Sequence, residues 1–219
     1  MKVLIIGANG QVGKHLVEKI QKTDSIKAKA MIRKTEQAPF FEALGAETVL
    51  VDLEGDAKQI EDAAKDVDAV VFTAGSGPKT GPDKTMLIDL DAAVKSIEAT
   101  KNAGVERYIM VSSFDTTREE IQTAINDAPS FAPYVVAKHY ADDWLRKTDL
   151  KHTIIHPGLL TNDPGINKVE AAETVGRNEI PREDVAEVIL ACLENDATIN
   201  KEFQVVSGEQ SVKQAIDSL

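Results

Sequence analysis

The chain has 219 residues, of which 42% are hydrophobic and 28% charged, as in an ordinary soluble globular domain. Its net charge of −11 argues against nucleic acid or anionic membrane as a partner, because an acidic surface repels phosphate groups. A single cysteine, Cys192, excludes a disulfide within the chain. With no membrane-length apolar run or signal-peptide core, the sequence predicts a cytoplasmic protein. The four histidines lack metal-ligand spacing, so no metal site is predicted.

Short apolar runs alternate with longer amphipathic stretches along the chain. Seven runs are predicted strands: KVLIIG, KAKAMIR, ETVLVDL, DAVVFTAG, RYIMVSS, HTIIHPG and EFQVVSG. They are rich in Val and Ile and mostly unalternating, which is typical of strands buried on both faces of a parallel sheet. The pattern predicts a doubly wound, mostly parallel Rossmann-like α/β fold in three layers. We expect one domain, 1–219, in which residues 157–219 supply most of a small substrate-covering part.

The stretches between these strands have helical period. A stripe of apolar residues follows the first strand, residues 86–103 are long enough for a crossover helix, and Gly104 suits its C-terminal end. Pro181 can open a late helix whose buried face includes Cys192. The stretches GSGPKTGPDK and NDAPSFAP are predicted loops, expected at the carboxyl edge of the sheet, where ligands bind in such folds.

The segment GANGQVG places three glycines between the first strand and a helix. Such a turn lets the backbone approach a phosphate closely, while the helix N-terminus offers free N–H groups and a positive dipole end. The alternative is a plain strand–helix turn. The position of the turn favours dinucleotide binding, and the expected cofactor-binding residues are Gly7, Asn9, Gly10, Gln11, Val12 and Gly13.

The end of the second strand indicates which nicotinamide cofactor is bound. The first charged residues there are Arg33 and Lys34, and no acid precedes Glu36. An NAD site usually has a carboxylate for the ribose hydroxyl, whereas arginine can hold the 2′-phosphate of NADP. The sequence therefore predicts NADP rather than NAD. The alternative is that both are solvated loop charges.

Two further strand ends fit a dinucleotide cleft. Asp52 could accept a hydrogen bond from the adenine amine while Leu53 packs beside the ring, although Asp52 could equally cap a helix. The segment TAGSG follows the fourth strand, and its first residues, Thr73, Ala74 and Gly75, permit close approach of a dinucleotide.

The segment YVVAK places Tyr134 and Lys138 four residues apart, on one face of a predicted helix. A free tyrosine has a pKa near 10, and a neighbouring ammonium favours the phenolate and lowers that pKa. The pair could therefore transfer a proton at neutral pH. The alternative is that the tyrosine packs and the lysine is solvated.

Four motifs come in the order found in the short-chain dehydrogenase/reductase superfamily, which the chain resembles over nearly its whole length. They are GxxGxxG from Gly7, TAG from Thr73, VSS ending at Ser113, and YxxxK from Tyr134. The glycine spacing is that of the extended members, but the part after Pro157 is too short for their substrate domain. The chain looks most like the atypical NADP-binding subgroup of small bacterial oxidoreductase or epimerase/dehydratase-like proteins, and more distantly like NmrA-like regulators and biliverdin/flavin reductases.

The resemblance implies roles for individual residues. Tyr134 would be the acid/base, Lys138 would hold the nicotinamide ribose and lower the pKa of the phenol, and Ser113 would bind the substrate oxygen. Ser112 would lie close to the cofactor, with Pro157 and Gly158 bordering the nicotinamide. Asp89 stands where many members have asparagine, and His156 replaces the arginine of the related segment TIIRPG.

The predicted function is NADP-dependent hydride transfer to a small carbonyl compound or related acceptor, with Tyr134 as proton donor. One alternative is an NADP(H)-binding redox sensor without turnover. Another is an epimerase or dehydratase acting on a nucleotide-linked sugar, for which Lys79, Lys84 and Arg118 are the few candidate diphosphate ligands. We expect a monomer or homodimer with a small-molecule substrate.

Overall fold

The computed structural model describes residues 1–77, 79–114 and 116–219. Its strands are β1 Lys2–Ile6, β2 Lys27–Ile32, β3 Glu47–Leu50, β4 Ala69–Phe72, β5 Arg107–Val111, β6 Lys151–Pro157, β7 Leu159–Thr161, β8 Lys168–Ala172, β9 Glu179–Pro181, β10 Lys201–Ser207 and β11 Gln210–Ser211. Its helices are α1 Gln11–Ile20, α2 Ala38–Ala43, α3 Ala57–Ala64, α4 Pro82–Lys84, α5 Ala93–Asn102, α6 Arg118–Asp127, α7 Ala132–Arg146, α8 Arg182–Glu194 and α9 Val212–Asp217. A π-helix, Thr85–Ala92, joins α4 to α5.

Nine strands form one sheet in the order β11-β8-β10-β6-β5-β4-β1-β2-β3. The strands from β3 to β10 in this order are parallel, and β8 pairs antiparallel with both β10 and β11. The chain winds from β1 outward to β3 and then returns to β4 on the other side of β1. This reversal opens a crevice between the carboxyl ends of β1 and β4, the usual place for a dinucleotide in such sheets.

Helices cover both faces of this sheet, which gives the three predicted layers. One hydrophobic core joins one face to α1 and α8, through residues such as Leu16 and Val188. The other core joins the opposite face to α3, α5 and α7, through residues such as Ile60, Ile97 and Leu145. The Rossmann-like prediction is confirmed.

All seven predicted strands form, although β3 ends at Leu50, so Asp52 and Leu53 follow it. The predicted crossover helix is present, but its first half is a π-helix. Gly104 follows the cap of α5 with φ of +77°, as predicted. Cys192 is buried in the core, where burial raises the pKa of its thiol to about 12.

Other details of the prediction were only partly right. Pro181 is the N-cap directly before α8 rather than a residue of its first turn. The predicted loop NDAPSFAP is a loop only at residues 128–131, since its first two residues end α6 and its last two begin α7. The segment GSGPKTGPDK includes α4 at its end, and its Pro78 lies outside the described residues. Within the described ranges, no helix is long and apolar enough to cross a membrane.

Candidate functional site

The glycine turn fits tightly between β1, α1 and the end of β4. Gly7 has φ of +87°, and the amide of Gly10 donates to its carbonyl oxygen at 2.9 Å. A Cβ at Gly7 would lie 2.6 Å from the backbone nitrogen of Ala74, and one at Gly13 would lie 2.4 Å from the Gly7 oxygen. Both positions therefore require glycine, and the turn lies against the TAG segment.

The same turn presents the N-terminus of α1. Gly10 is the N-cap, and the helix begins at Gln11, so its first amides have no carbonyl partner within the helix. Asn9, Gly10 and Gln11 are exposed, whereas Val12 and Gly13 are buried against the sheet. This arrangement can bind an anion through backbone N–H groups and the helix dipole.

Arg33 and Lys34 lie exposed just beyond the end of β2. Together with Thr35, Glu36 and Leu50 they line an open groove of about 610 Å³. The side-chain oxygen of Gln37 accepts from the backbone amides of Arg33 and Lys34, at 3.0 and 3.2 Å. These bonds fix the backbone of the loop, so the two cationic side chains project from a defined position.

Asp52 also lies exposed, in a turn beyond β3. Its carboxylate accepts from the amide of Glu54 at 3.1 Å. The helix-cap alternative was wrong, because Asp56 caps α3 by accepting from Lys58. Leu53 is half-buried next to it, so the adenine-binding role of this pair stays a prediction.

The end of β4 connects the glycine turn to Asp89. The hydroxyl of Thr73 donates to the carbonyl of Ile6 at 3.1 Å, Ala74 is buried and Gly75 is exposed. A Cβ at Gly75 would lie 3.1 Å from Oδ1 of Asp89. The predicted TAG residues therefore lie between the glycine turn and the candidate catalytic residue Asp89.

Asp89 is fully buried in the π-helix between α4 and α5. Its Oδ2 accepts from the backbone amide of Ser76 at 3.1 Å, and its Oδ1 lies 3.5 Å from Nζ of Lys138. No residue that the structure describes gives Oδ1 a conventional hydrogen bond. π-helical turns of this kind are frequent at functional sites.

Lys138 is also buried, with Nζ 3.4 Å from the carbonyl oxygen of Val111. Burial lowers the pKa of this amine, but the Tyr134 phenol and the carboxylates of Asp89 and Asp142 outweigh burial and raise it. The amine is therefore a cation at neutral pH. It lies 5.8 Å from the centre of the half-buried Tyr134 ring, so the predicted pair shares one face of α7.

The two serines after β5 have different environments. Ser112 is buried, and its hydroxyl donates to Oδ2 of Asp142 at 2.6 Å. Ser113 is half-buried, and its carbonyl oxygen lies 2.6 Å from Nδ1 of His156. The hydroxyl of Ser112 is therefore engaged within the protein, and Ser113 is the serine with some exposure.

Pro157 and Gly158 follow at the next strand end. Pro157 is buried and closes β6, and the amide of Gly158 donates to the carbonyl of Val205 at 2.9 Å. A Cβ at Gly158 would lie 2.1 Å from the carbonyl oxygen of Asn178, so this backbone is closely packed.

The predicted residues thus form one continuous group at the carboxyl edge of the sheet, from Gly7 through Gly75, Asp89 and Lys138 to Tyr134. Arg33 and Asp52 lie at separate strand ends on one side, and Pro157 and Gly158 on the other. Asp142, also buried beside these residues, was not predicted from the sequence. Its position four residues after Lys138, on the same face of α7, was an available signal.

The sequence model of the NAD(P)H-binding family matches residues 7–196. The chain belongs to this family. The match includes the glycine turn, Asp89 and the Tyr134–Lys138 pair. In this NAD(P)H-binding protein, the cofactor-binding turn and the candidate catalytic residues therefore all lie within the region that matches the family.

Relatives and solved structures agree with this assignment. The chain is 46% identical over 219 residues to the "Uncharacterized sugar epimerase YhfK" of Bacillus subtilis, with 100% of both chains covered. It is similar in structure to the oxidoreductase ylbE of Lactococcus lactis, with a TM-score of 0.89, 32% identity and coverage of 100% and 96%. A short-chain dehydrogenase/reductase from Veillonella parvula, solved with NADP, has the same fold, with a TM-score of 0.75, 17% identity and 97% of each chain covered.

Proposed function

We propose that this protein is an NADP(H)-dependent oxidoreductase that reduces a small carbonyl compound, with Tyr134 as the proton donor. The observation that carries the proposal is the buried Lys138–Asp89 pair beside the half-buried Tyr134, reached from the glycine turn through Gly75. A desolvated cation next to a phenol is an arrangement suited to proton transfer. The TAG segment against the turn further supports cofactor chemistry at this edge.

The residues at the site have separate roles in this proposal. When bound, the reduced nicotinamide supplies the hydride. Tyr134 gives its hydroxyl proton to the carbonyl oxygen of the substrate, and the Lys138 cation stabilises the phenolate that remains. Ser113 donates a hydrogen bond to the same substrate oxygen. Asp89 holds the lysine in place, and its buried charge favours the ammonium form.

Hydride transfer is the direct test of this function. NADPH deuterated stereospecifically at C4 of the nicotinamide is incubated with the protein and a panel of aldehydes, ketones, quinones and flavins. Mass spectrometry then looks for deuterium on carbon in the alcohol products. For quinones and flavins, whose N–D and O–D groups exchange with water, loss of NADPH absorbance is followed instead. We expect transfer to at least one carbonyl compound from one face of the nicotinamide. Neither a labelled alcohol nor oxidation of NADPH anywhere in the panel would count against the oxidoreductase.

The name of the Bacillus subtilis relative favours a second candidate, an epimerase acting on a nucleotide-linked sugar. Such a substrate needs cations for its diphosphate. Of the three candidates, Lys84 is 2.6 Å from Glu54, and Arg118 donates to the hydroxyl of Tyr140 at 3.2 Å. Only the exposed Lys79 has neither contact, which supports ranking this function second. An epimerase recycles its cofactor, so it would give no net oxidation of NADPH.

The choice of NADP over NAD rests on Arg33. Replacing Arg33 by alanine is expected to weaken NADPH binding by about 10-fold to 100-fold, since charge-assisted bonds to a phosphate contribute about 1.5–3 kcal/mol. NADH binding should stay nearly constant, because NADH lacks the 2′-phosphate. Titration of both cofactors by nicotinamide fluorescence measures the ratio.

Lys27 provides the matched control for this prediction. It is an exposed cation at the other end of β2, away from the groove. Lys27→Ala should leave both affinities unchanged, so any loss in Arg33→Ala is not a general effect of net charge. A wild-type protein that prefers NADH, or an Arg33→Ala variant that weakens both cofactors equally, would contradict the assignment.

A further inference from the structure

Ser113 and the described residues around it, Ser112, Phe114 and Thr116, form a segment that hydrogen bonds hold from two sides. From α7, Asp142 accepts from Ser112 and from Thr116, at 2.6 and 3.2 Å, and the ring of His139 contacts the carbonyl of Thr116 at 2.6 Å. From the sheet, His156 contacts the carbonyl of Ser113. The side-chain amide of Gln204, on β10, donates a longer hydrogen bond to the carbonyl oxygen of Phe114, at 3.4 Å.

His156 is the buried side chain that links this segment to β10. Its Nδ1 lies 2.6 Å from the carbonyl oxygen of Ser113, and its Nε2 lies 2.7 Å from Oε1 of Glu202. A carbonyl oxygen and a carboxylate can only accept hydrogen bonds, whereas a neutral imidazole has a single N–H group. Both contacts are satisfied together only when the ring carries two protons and a positive charge.

The acceptor on β10 is a firmly ionised carboxylate. Arg146 donates to both oxygens of Glu202, from Nε at 2.8 Å and from Nη2 at 2.5 Å. Burial raises the pKa of Glu202, but the bonds from Arg146 and His156 outweigh burial and lower it to about 2. The ring therefore faces a full negative charge throughout the neutral range.

Other charged or titratable groups near His156 come from α7 and from the cavity of about 830 Å³ that His156 lines. From α7, Asp142 favours the protonated ring, Arg146 is paired with Glu202, and His139 is engaged with Thr116. Glu173, which follows β8, and Lys201 of β10 line the same cavity with opposite charges. Burial lowers the pKa of His156, but the Glu202 and Asp142 carboxylates and the Ser113 carbonyl outweigh burial and raise it above its ordinary value.

We propose that His156 is a positioning residue that holds Ser113 in its working place while the ring is doubly protonated, and that loss of one proton releases the segment and lowers turnover. The inference rests on the proposed function only for the role of Ser113. The two hydrogen bonds of the His156 ring belong to the protein itself and do not depend on that function. Deprotonation would set a nitrogen lone pair against either the carbonyl of Ser113 or Glu202, so one of the two bonds must break.

The sign of the pH dependence follows from the direction of the shift. Because the folded protein raises the pKa of His156, the bridge is complete below about pH 6.5, the ordinary histidine value. It persists above that pH and is lost as the pH passes the folded pKa. Activity should therefore fall on the alkaline side, without a matching loss of cofactor affinity.

The first experiment is an NMR titration of the wild-type protein labelled with ¹⁵N, between pH 5 and 10, without cofactor. We expect the ring of His156 to show two bonded N–H groups at pH 6. The amide resonances of Ser113 and Phe114 should shift with the same midpoint as the ring. A singly protonated ring at pH 6 would overturn the proposal. So would amide resonances of Ser113 and Phe114 that do not shift as the ring titrates.

Two variants separate the bridge from a general histidine effect. In His156→Arg the guanidinium donates at every pH, so the alkaline shift of the Ser113 amide should disappear. His152→Gln is the matched control, because His152 is half-buried on the same strand and contacts the carbonyl of Leu150 instead. In this control the pH-dependent shift of the Ser113 amide resonance should equal that of the wild type. Loss of that shift in the control would contradict the assignment to His156.

Turnover measurements distinguish failure of the positioning role from failure of the proposed function. In the deuteride assay, wild-type kcat should fall at alkaline pH by about 10-fold to 100-fold, as expected for a misplaced substrate-binding group, while KM for NADPH stays constant. In His156→Arg the part of this fall that has the NMR midpoint of His156 should be absent, because the guanidinium stays charged. If Ser113→Ala retains full turnover while the NMR bridge is seen, the proposed role of Ser113 is wrong and the bridge stands.

Discussion

Replacing Tyr134 by phenylalanine is expected to lower kcat by about 10²-fold to 10⁴-fold, the range that a positioned acid or base contributes. The change removes only the hydroxyl. The ring packs against Phe131, with centroids 5.1 Å apart, and lies 5.8 Å from Nζ of Lys138, so its packing should be retained. Deuteride transfer measures kcat, and nicotinamide fluorescence should show an unchanged Kd for NADPH.

Tyr140→Phe is the matched control on the same helix. Tyr140 is exposed, and its hydroxyl accepts from Arg118 rather than lying near Lys138. Loss of this hydroxyl should leave kcat unchanged. Wild-type turnover in Tyr134→Phe would show that the tyrosine is not the proton donor. If the wild-type protein binds NADPH and NADP with different affinities but transfers no hydride to any acceptor, the redox-sensor alternative is favoured.

Most of the sheet could be predicted because its central strands are buried on both faces. β1, β4 and β5 are continuous apolar runs, and their position in the chain fixes the order of the crossovers. β8 was missed because only Val169 among its five residues is fully buried. β7, β9 and β11 are three residues or shorter, which leaves no periodicity to detect.

The site shows a similar division between local and non-local signals. The glycine turn and the Tyr134–Lys138 pair are local patterns, so spacing alone predicts their geometry. The partner of His156 could not be predicted in this way, because Glu202 comes 46 residues later and meets it only through pairing of β10 with β6. The contact from Ser76 to Asp89 uses a backbone amide, which no residue type reveals.

Replacing Lys138 by methionine is expected to destabilise the folded protein by about 3–5 kcal/mol, because it leaves the Asp89 charge buried without its counter-ion. Asp89 is fully buried, and the amide of Ser76 would be its remaining polar contact among the described residues. Urea unfolding followed by circular dichroism gives the free energy. A second change, Asp89→Asn, removes the orphaned charge and should restore part of the lost stability in the double variant.

Lys147→Met is the control for this comparison, since Lys147 lies just beyond α7, exposed, and pairs with Asp143 at 2.6 Å. An exposed pair of this kind contributes little, so the control should unfold close to the wild-type midpoint. If Lys138→Met unfolded at the same midpoint as Lys147→Met, loss of the lysine would cost no more than loss of an exposed pair. The buried contact between Asp89 and Lys138 would then not be the interaction that stabilises this part of the site.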